Sequence, residues 1–295
     1  MGGCYRANLP AEVYYGITFR DLFRLDNIAL QKKRFLIRGK YEIEALKNVK
    51  NVMGRTEFDY AAVKRINPSI QYFYCPENLR REFSDIEKFW NFNGCRKHSL
   101  FMSQATYPIK GLHLALEALR DLAAEYPDII LYVAGENITK VTTWKNRIRI
   151  SNYGKYIRNL IKKWNLRQHI CFVGNLNAEQ MKEQYLRTNV YILPSVMENS
   201  PNSLCEAMSL GVPCVAADVG GVSSMMTHKK EGYLYPASET YQLTNYIRKI
   251  FENDDFTREM SENSIERMKK YNRIEENIVL LKEIYEEIYK RGNMI

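Results

Sequence analysis

The sequence predicts an α/β protein: a parallel, doubly wound sheet over residues 96–270, with a smaller, partial unit before it and a helix behind it. From about Lys97, apolar runs of strand length alternate with runs of helix length, the pattern of a parallel sheet with helices on both faces. A chain of 295 residues is long for one core and comfortable for two. The texture also changes along it, since residues 1–95 are basic, aromatic and irregular.

Helical periodicity runs from Asp21 to Val49, a segment dense in Lys32, Lys33, Arg34, Arg38 and Lys40. NVMGRTEFD (51–59) reads as a short strand with a turn, and QYFYC (71–75) as a second strand. Pro76, Asn78, Asn91, Asn93 and Gly94 are turn residues and mark a linker up to Cys95. SLFMSQ (99–104) reads as a buried strand. GLHLALEALRDLAAEY (111–126) reads as a helix, because Leu112, Ala115, Leu116, Leu119, Leu122 and Ala123 share one face; Pro127 stops it.

IILYVAG (129–135) is the next strand, followed by a helix around Tyr153–Trp164 and the strand HICFVG (169–174). A helix over 177–188 leads to the strand VYILPS (190–195), and PNSLCEAMSL (201–210) is a helix ended by Gly211. VPCVAAD (212–218) is a strand, GGVSSMM (220–226) opens a short helix, and GYLY (232–235) is a last strand. The tail from Glu239 is helical, and the amphipathic run over 274–289 is expected to pack back toward the first unit. Asp254 and Asp255 read as a loop between helices, and His113, Trp144 and Trp164 as packing residues.

Charge and cysteines narrow the class. A net charge of +9 suits anionic partners, or is simply a solvated surface. The mixture of Tyr, Lys and Arg over residues 14–50 reads either as a face for an anionic membrane or as cover for a core. No RNA- or DNA-binding motif accompanies the charge, so nucleic acid is not an expected partner. No stretch reaches the ~20 apolar residues of a membrane span. The six cysteines form no CxxC pair and the four histidines are scattered, which gives a zinc site no support. MGGCYRANLPAEVYYG lacks the basic start and apolar run of a secretory signal, and Tyr5 and Arg6 do not fit a myristoylation motif after Gly2. A cytoplasmic protein with reduced cysteines, peripheral at most to the inner membrane face, is therefore expected.

The most informative run is VYILPSVMENSPNSLCEAMSLGVPCVAADVGG, 190–221. A hydrophobic strand delivers a polar loop, and a helix opens near Pro201 or Asn202, where proline loses nothing by lacking an N–H. The first N–H groups of a helix have no intrahelical partner and carry the positive end of its dipole, which makes a diphosphate site. Glu198 precedes the helix and Glu206 lies one to two turns inside it. Two readings of this pair are open from the residues alone. The carboxylates accept hydrogen bonds from a hexose and a ribose, or Glu198 is a dipole partner and Glu206 a surface residue.

ENSPNSLCEAM, followed by GVPCVA and the GG of DVGG, resembles the signature of the retaining GT-B glycosyltransferases of family 4: Glu, seven residues, Glu, then Ala-Met and a Gly-x-Pro strand. The PIKG turn (108–111), the AG strand end (134–135), the FVGNL loop (172–176) and the YILPS strand extend the match over roughly residues 97–290. The resemblance implies a GT-B-like fold with one complete Rossmann-like donor domain (96–270), a partial N-terminal Rossmann-like domain and linker (1–95), and a C-terminal helix (271–295). It implies catalytic roles for Lys110, which neutralises the donor diphosphate, and Glu198, which accepts from donor-sugar hydroxyls. Glu206 accepts from ribose hydroxyls, Asn202 and Ser203 offer backbone N–H groups to phosphate, and the Val173–Leu176 loop touches the base. Gly111, Gly174, Asn175, Leu176, Asn199, Ser200 and Leu204 complete the implied donor site.

Many members of that family carry an arginine five residues before the lysine; here the position is Ala105, after Gln104. The bidentate phosphate contact of a guanidinium is lost there, so another cation replaces it or the site works with fewer charges. Arg55, in GRTEFD, lies near the expected interdomain cleft, where reaching a phosphate is the alternative to a role without chemistry. Glycosyl transfer builds positive charge on the sugar and negative charge on the departing diphosphate, which preorganised donors stabilise. The family retains the donor's anomeric configuration and needs no metal or other cofactor, and this sequence has no DxD motif.

The implied partners are a nucleotide-diphosphate sugar and a glycan or lipid-linked acceptor of a surface polysaccharide. Because the match begins in mid-domain, near YYGITFRDL (14–22), the early strands of the first domain are expected to be missing. The rival reading is a truncated nucleotide-sugar-binding protein without efficient transfer.

Overall fold

The computed structural model describes residues 7–141, 143 and 148–292. Gly2, Cys4, Tyr5, Arg6 and Trp144 lie outside the described residues.

Two parallel sheets organise these residues. β1 (Asn51–Gly54) pairs with β2 (Gln71–Tyr74). β3 (Arg96–Met102), β4 (Ile130–Ala134), β5 (Ile170–Gly174), β6 (Thr188–Leu193), β7 (Cys214–Ala217) and β8 (Tyr233–Tyr235) form the larger sheet, in the order β5-β4-β3-β6-β7-β8. This is the parallel, doubly wound arrangement predicted. Alternate strand residues feed a core on each face. Leu100, Leu131, Val133, Val190, Ile192 and Val215 meet the helices Leu112–Glu125, Asn152–Lys163 and Thr240–Glu252. Phe101, Tyr191, Leu193, Cys214 and Ala216 meet Ala178–Leu186, Asn202–Ser209 and Asp254–Tyr271. Every residue of the central strand β6 is buried, as a strand covered on both faces requires.

The chain before β1 divides. Leu9, Val13, Tyr14 and Ile28 belong to the larger sheet's first core. Asn152 ties this stretch down, its N–H donating to Asp21 Oδ2 at 3.1 Å and its Nδ2 to the Val13 carbonyl at 2.7 Å. The periodic segment from Asp21 is two helices, Phe19–Arg24 and Ile28–Asn48. Leu25 turns left-handed at φ 49°, and Asn27 caps the second helix by accepting from Leu30 N. In that second helix only Ile28 is buried; its first turn rests on the first core through Ile28 and Ala29, and most of the rest is exposed. The stretch read as a turn after β1 begins a further helix, Glu57–Ile66, which links β1 to β2; Thr56 Oγ1 caps it by accepting from Asp59 N at 3.1 Å.

The linker after β2 is a strap across the larger unit. Leu79, Phe83, Trp90 and Phe92 enter its second core, and Trp90 Nε1 donates to the Thr188 carbonyl at 2.7 Å. The strap carries Arg80 over the carboxyl ends of the large sheet. At the other end of the chain, Asp254 and Asp255 form the first turn of a helix rather than a loop: Asn253 caps it, and two carboxylates suit its dipole. The last helix, Ile274–Gly292, buries Ile284; its Leu281 borders a cavity with Val52, Met53 and Val63, and Asn277 Nδ2 donates to Asn78 Oδ1 at 2.7 Å.

His113 is a packing residue: it is buried, with Nε2 2.6 Å from the Ala7 carbonyl and Nδ1 3.2 Å from Tyr153 Oη. Trp164 packs on the first core beneath the Arg120 guanidinium. No helix of the described residues is long and apolar enough to cross a membrane.

Candidate functional site

From β3 the large sheet grows to β4 and β5 on one side and to β6, β7 and β8 on the other. The connections leaving the carboxyl ends diverge at such a switch point and open a crevice. A cavity of about 530 Å³ lies there. Ser103, Gln104 and Thr106 border it after β3, Gly135 and Glu136 after β4, Asn175 and Leu176 after β5, and Pro194 and Ser195 after β6. Lys110, Ser203, Glu206 and Arg80 complete the charged and polar wall.

Lys110 ends a short 3₁₀ turn, Pro108–Lys110, and its Nζ lies 2.7 Å from Glu198 Oε1, with both side chains largely buried. Two glycines make this arrangement possible. Gly111 has φ 75°, and a Cβ there would stand 1.9 Å from the Pro194 carbonyl oxygen. Gly220, at φ 57°, lets its backbone approach the Glu198 carbonyl, which a Cβ would meet at 1.8 Å. The first glycine of the GG pair therefore supports the loop that carries Glu198. Glu198 is the ion-pair partner of Lys110, not merely a charge facing the dipole of the helix after it.

Glu206 sits one turn inside the Asn202–Ser209 helix and is buried, which rules out the reading of it as a surface residue. Arg80 donates to Glu206 Oε1 through Nε at 3.0 Å and Nη2 at 2.7 Å, and Tyr185 Oη lies 3.4 Å from Oε2. Burial pushes the Glu206 carboxyl up from its ordinary range, and the hydrogen bonds and charge of Arg80 oppose that shift. Behind Ser203 runs a part-buried hydroxyl chain: Tyr191 Oη donates to Ser203 Oγ at 2.8 Å and lies 3.0 Å from Ser103 Oγ.

Half of the sequence-predicted residues converge. Lys110, Asn175, Leu176, Ser203 and Glu206 border the one cavity, with Glu198 joined to it through Lys110. Gly174 closes β5 with φ 79°, and its carbonyl accepts from Gly135 N at 2.8 Å. Gly111 shapes the turn beneath Lys110. Ser200 is half-buried in the loop before the helix. Leu204 is fully buried in the second core, and its N–H donates to the Pro201 carbonyl, so its part is packing.

Asn199 and Asn202 face the first unit. Asn199 Oδ1 accepts from Thr56 Oγ1 at 3.1 Å, and Asn202 Oδ1 lies 3.5 Å from Arg55 Nη1. Arg55 also pairs with Glu77, and these residues border a second cavity of about 500 Å³ with Asp59 and Leu281. Arg55 thus stands at the helix start, at the seam of the two units.

Sequence reasoning missed Arg80, Ser103 and Ser195. Ala105, where a guanidinium was missing from the family pattern, is buried in the first core. Among the described residues the cavity's cations are Lys110 and Arg80. The arrangement joins a helix start, the cations Lys110 and Arg80, and the carboxylates of Glu136, Glu198 and Glu206 around one crevice. Such a site neutralises an anion and accepts hydroxyl donors beside it.

The family model for glycosyl transferases group 1 matches residues 82–267. The putative colanic acid biosynthesis glycosyltransferase WcaL of Salmonella typhimurium is 29% identical over 140 residues, which is 45% of this chain and 31% of the relative. Sucrose-phosphate synthase from Thermosynechococcus elongatus is similar in structure with a TM-score of 0.70 at 20% identity, over 85% of this chain and 61% of that one. Anabaena HepE, solved in complex with UDP-glucose, gives a TM-score of 0.68 at 16% identity, over 85% and 67% of the two chains. The chain thus spans about a third of the length of the curated relatives it matches. Likeness at these identities shows the fold, which is that of the GT-B glycosyltransferases. With the family match covering well over half of its residues, this chain belongs to the glycosyl transferases group 1 family.

Proposed function

We propose that the chain provides the donor half of a glycosyltransferase. It moves a sugar from a nucleotide-diphosphate sugar to a growing glycan or lipid-linked acceptor of a surface polysaccharide, with retention of configuration. The observation that carries this reading is the crevice itself: Lys110, paired to Glu198 at 2.7 Å, shares one cavity with Ser203 and Glu206 of the Asn202–Ser209 helix. In this reading the diphosphate lies at the helix start with Lys110 as its counter-charge. Glu198 accepts from the sugar and Glu206 from the ribose, while Asn175 and Leu176 flank the base. HepE was solved with UDP-glucose, and a donor of that class fits a site with this charge order.

As the glycosidic bond breaks, charge grows on the diphosphate. The Lys110 ammonium and the helix N–H groups are already fixed there and stabilise it without reorganising. These groups supply the positive charge, so the reading calls for no metal. The second reading is donor binding without efficient transfer; among the described residues the first sheet pairs β1 with β2.

The test is calorimetry and donor hydrolysis with a panel of nucleotide-diphosphate sugars. One donor class is expected to bind, and Glu206→Ala is expected to weaken it by ~1–3 kcal/mol, the scale of a charged hydrogen bond. Equal affinity in wild type and variant would remove Glu206 from the site.

A further inference from the structure

We propose that Arg80 is a positioning residue of the donor site, holding the Glu206 carboxylate charged and turned so that it accepts a nucleoside's ribose hydroxyls. The inference rests on the donor reading of Glu206 and adds a residue that lies 126 positions away in sequence.

The geometry is specific. Both donors of Arg80 go to Oε1, at 3.0 and 2.7 Å, which leaves Oε2 with Tyr185 Oη at 3.4 Å and capacity for a further donor. The guanidinium is itself braced, lying 5.1 Å from the centre of the Phe83 ring, and Phe83 is buried with its ring edge-on to Tyr185. The strap that carries Arg80 is pinned on either side, by Leu79 N to Asn272 Oδ1 at 3.1 Å and by Trp90 Nε1 to the Thr188 carbonyl. Arg80 is thus held over Glu206 by packing from several elements and is half-exposed toward the cavity.

The chemistry requires such a partner. A buried carboxylate without a counter-charge takes up a proton rather than stay charged, and a protonated acid is a poorer acceptor. The groups that face Glu206 are Arg80 and Glu82 from the strap and Tyr185 from the Ala178–Leu186 helix. Burial and the like charge of Glu82 drive Glu206 toward the neutral form, and Arg80 is the one cation opposing them among these groups. Without Arg80 only the Tyr185 hydroxyl opposes burial and Glu82 among these groups, and Glu206 moves further toward its neutral form.

The experiment is calorimetric titration of UDP and of GDP into wild type, Arg80→Ala, Arg80→Lys, Glu206→Gln and the Arg80→Ala/Glu206→Gln double variant, from pH 6 to pH 9. Arg80→Ala is expected to weaken the nucleotide that binds by roughly tenfold at pH 6.5, the scale of a lost charged partner, and to recover toward pH 9. Wild type is expected to be flat over this range, Arg80→Lys to keep most of the affinity, and Arg80→Ala to add nothing in the Glu206→Gln background. If Arg80→Ala melts below the assay temperature, Arg80→Gln takes its place. A loss that is constant with pH, or as large in the Glu206→Gln background as in wild type, would overturn the proposal while leaving the donor site in place. If Glu206→Gln binds like wild type, or if neither nucleotide binds wild type, the donor reading falls and this proposal falls with it.

Discussion

Replacing Gly111 with alanine puts a methyl group where there is no room for one. The residue has φ 75°, and the new Cβ would lie 1.9 Å from the Pro194 carbonyl oxygen and 2.8 Å from its carbon. Relief to ordinary non-bonded separations requires a backbone shift of more than ~1 Å. The left-handed conformation alone costs an L-residue roughly 1–2 kcal/mol, and displacing a packed backbone segment costs a similar amount. The loss of stability is then ~2–4 kcal/mol, which for a domain of this size lowers Tm by ~5–15 °C. The shift also falls on the site, since Pro194 borders the cavity and Lys110 is the neighbouring residue. A displacement of ~1 Å there can cost a hundredfold in turnover. Thermal melts followed by circular dichroism, with donor hydrolysis measured below the transition, check both effects. Gly39→Ala is the control: it lies in the exposed Ile28–Asn48 helix, a new Cβ there would have no atom within 4 Å, and the change is expected to be neutral or stabilising. A Gly111→Ala protein that melts within about 2 °C of wild type and hydrolyses donor normally would refute the close approach and the reasoning built on it.

Other outcomes follow from the same geometry. Lys110→Ala is expected to lower the rate of transfer or hydrolysis more than it weakens donor binding, because its charge matters most as the diphosphate departs; equal losses in kcat and in affinity would make it a plain binding residue. Burial lowers the His113 pKa to about 4 from 6.5, so the unfolded chain binds the extra proton between those values. Stability should therefore fall as pH drops from 6.5 to 4, by up to about 3 kcal/mol, and urea midpoints should lose that share of the slope in His113→Gln. Tyr191→Phe strips the hydroxyl that joins Ser103 and Ser203 and is expected to cost ~1 kcal/mol of stability, read from urea unfolding; no change would mean that the two serines satisfy each other.

The large sheet is legible in the sequence because its strands are short apolar runs bounded by turns, and tertiary packing does not override them. IILYVAG contains β4, VYILPS all but the start of β6, and VPCVAAD contains β7. From the residues alone Glu198 and Glu206 leave two readings open, and Lys110 enters only with the family resemblance; the structure brings the three about one crevice. Helix Glu57–Ile66 is short and follows directly on β1, so NVMGRTEFD reads as a strand with a turn, though Thr56 and Asp59 carry a capping signal. Asp254 and Asp255 pass for a loop unless acidic residues are given their weight as a helix start. Arg80 has no local signal at all. It lies on an irregular strap, and its partner Glu206 is brought to it only when Leu79, Phe83 and Trp90 bury themselves in the second core. The Ala105 departure hints that a cation has to come from elsewhere, without saying from where.

The most direct measurement is a crystal structure of this chain with the nucleoside diphosphate that binds it most tightly. The diphosphate is expected at the start of the Asn202–Ser209 helix beside Lys110, with the ribose hydroxyls on Glu206 and the base by Asn175 and Leu176. A nucleotide bound away from that helix start, or bound there with Glu206 and Lys110 out of contact, would contradict the donor reading.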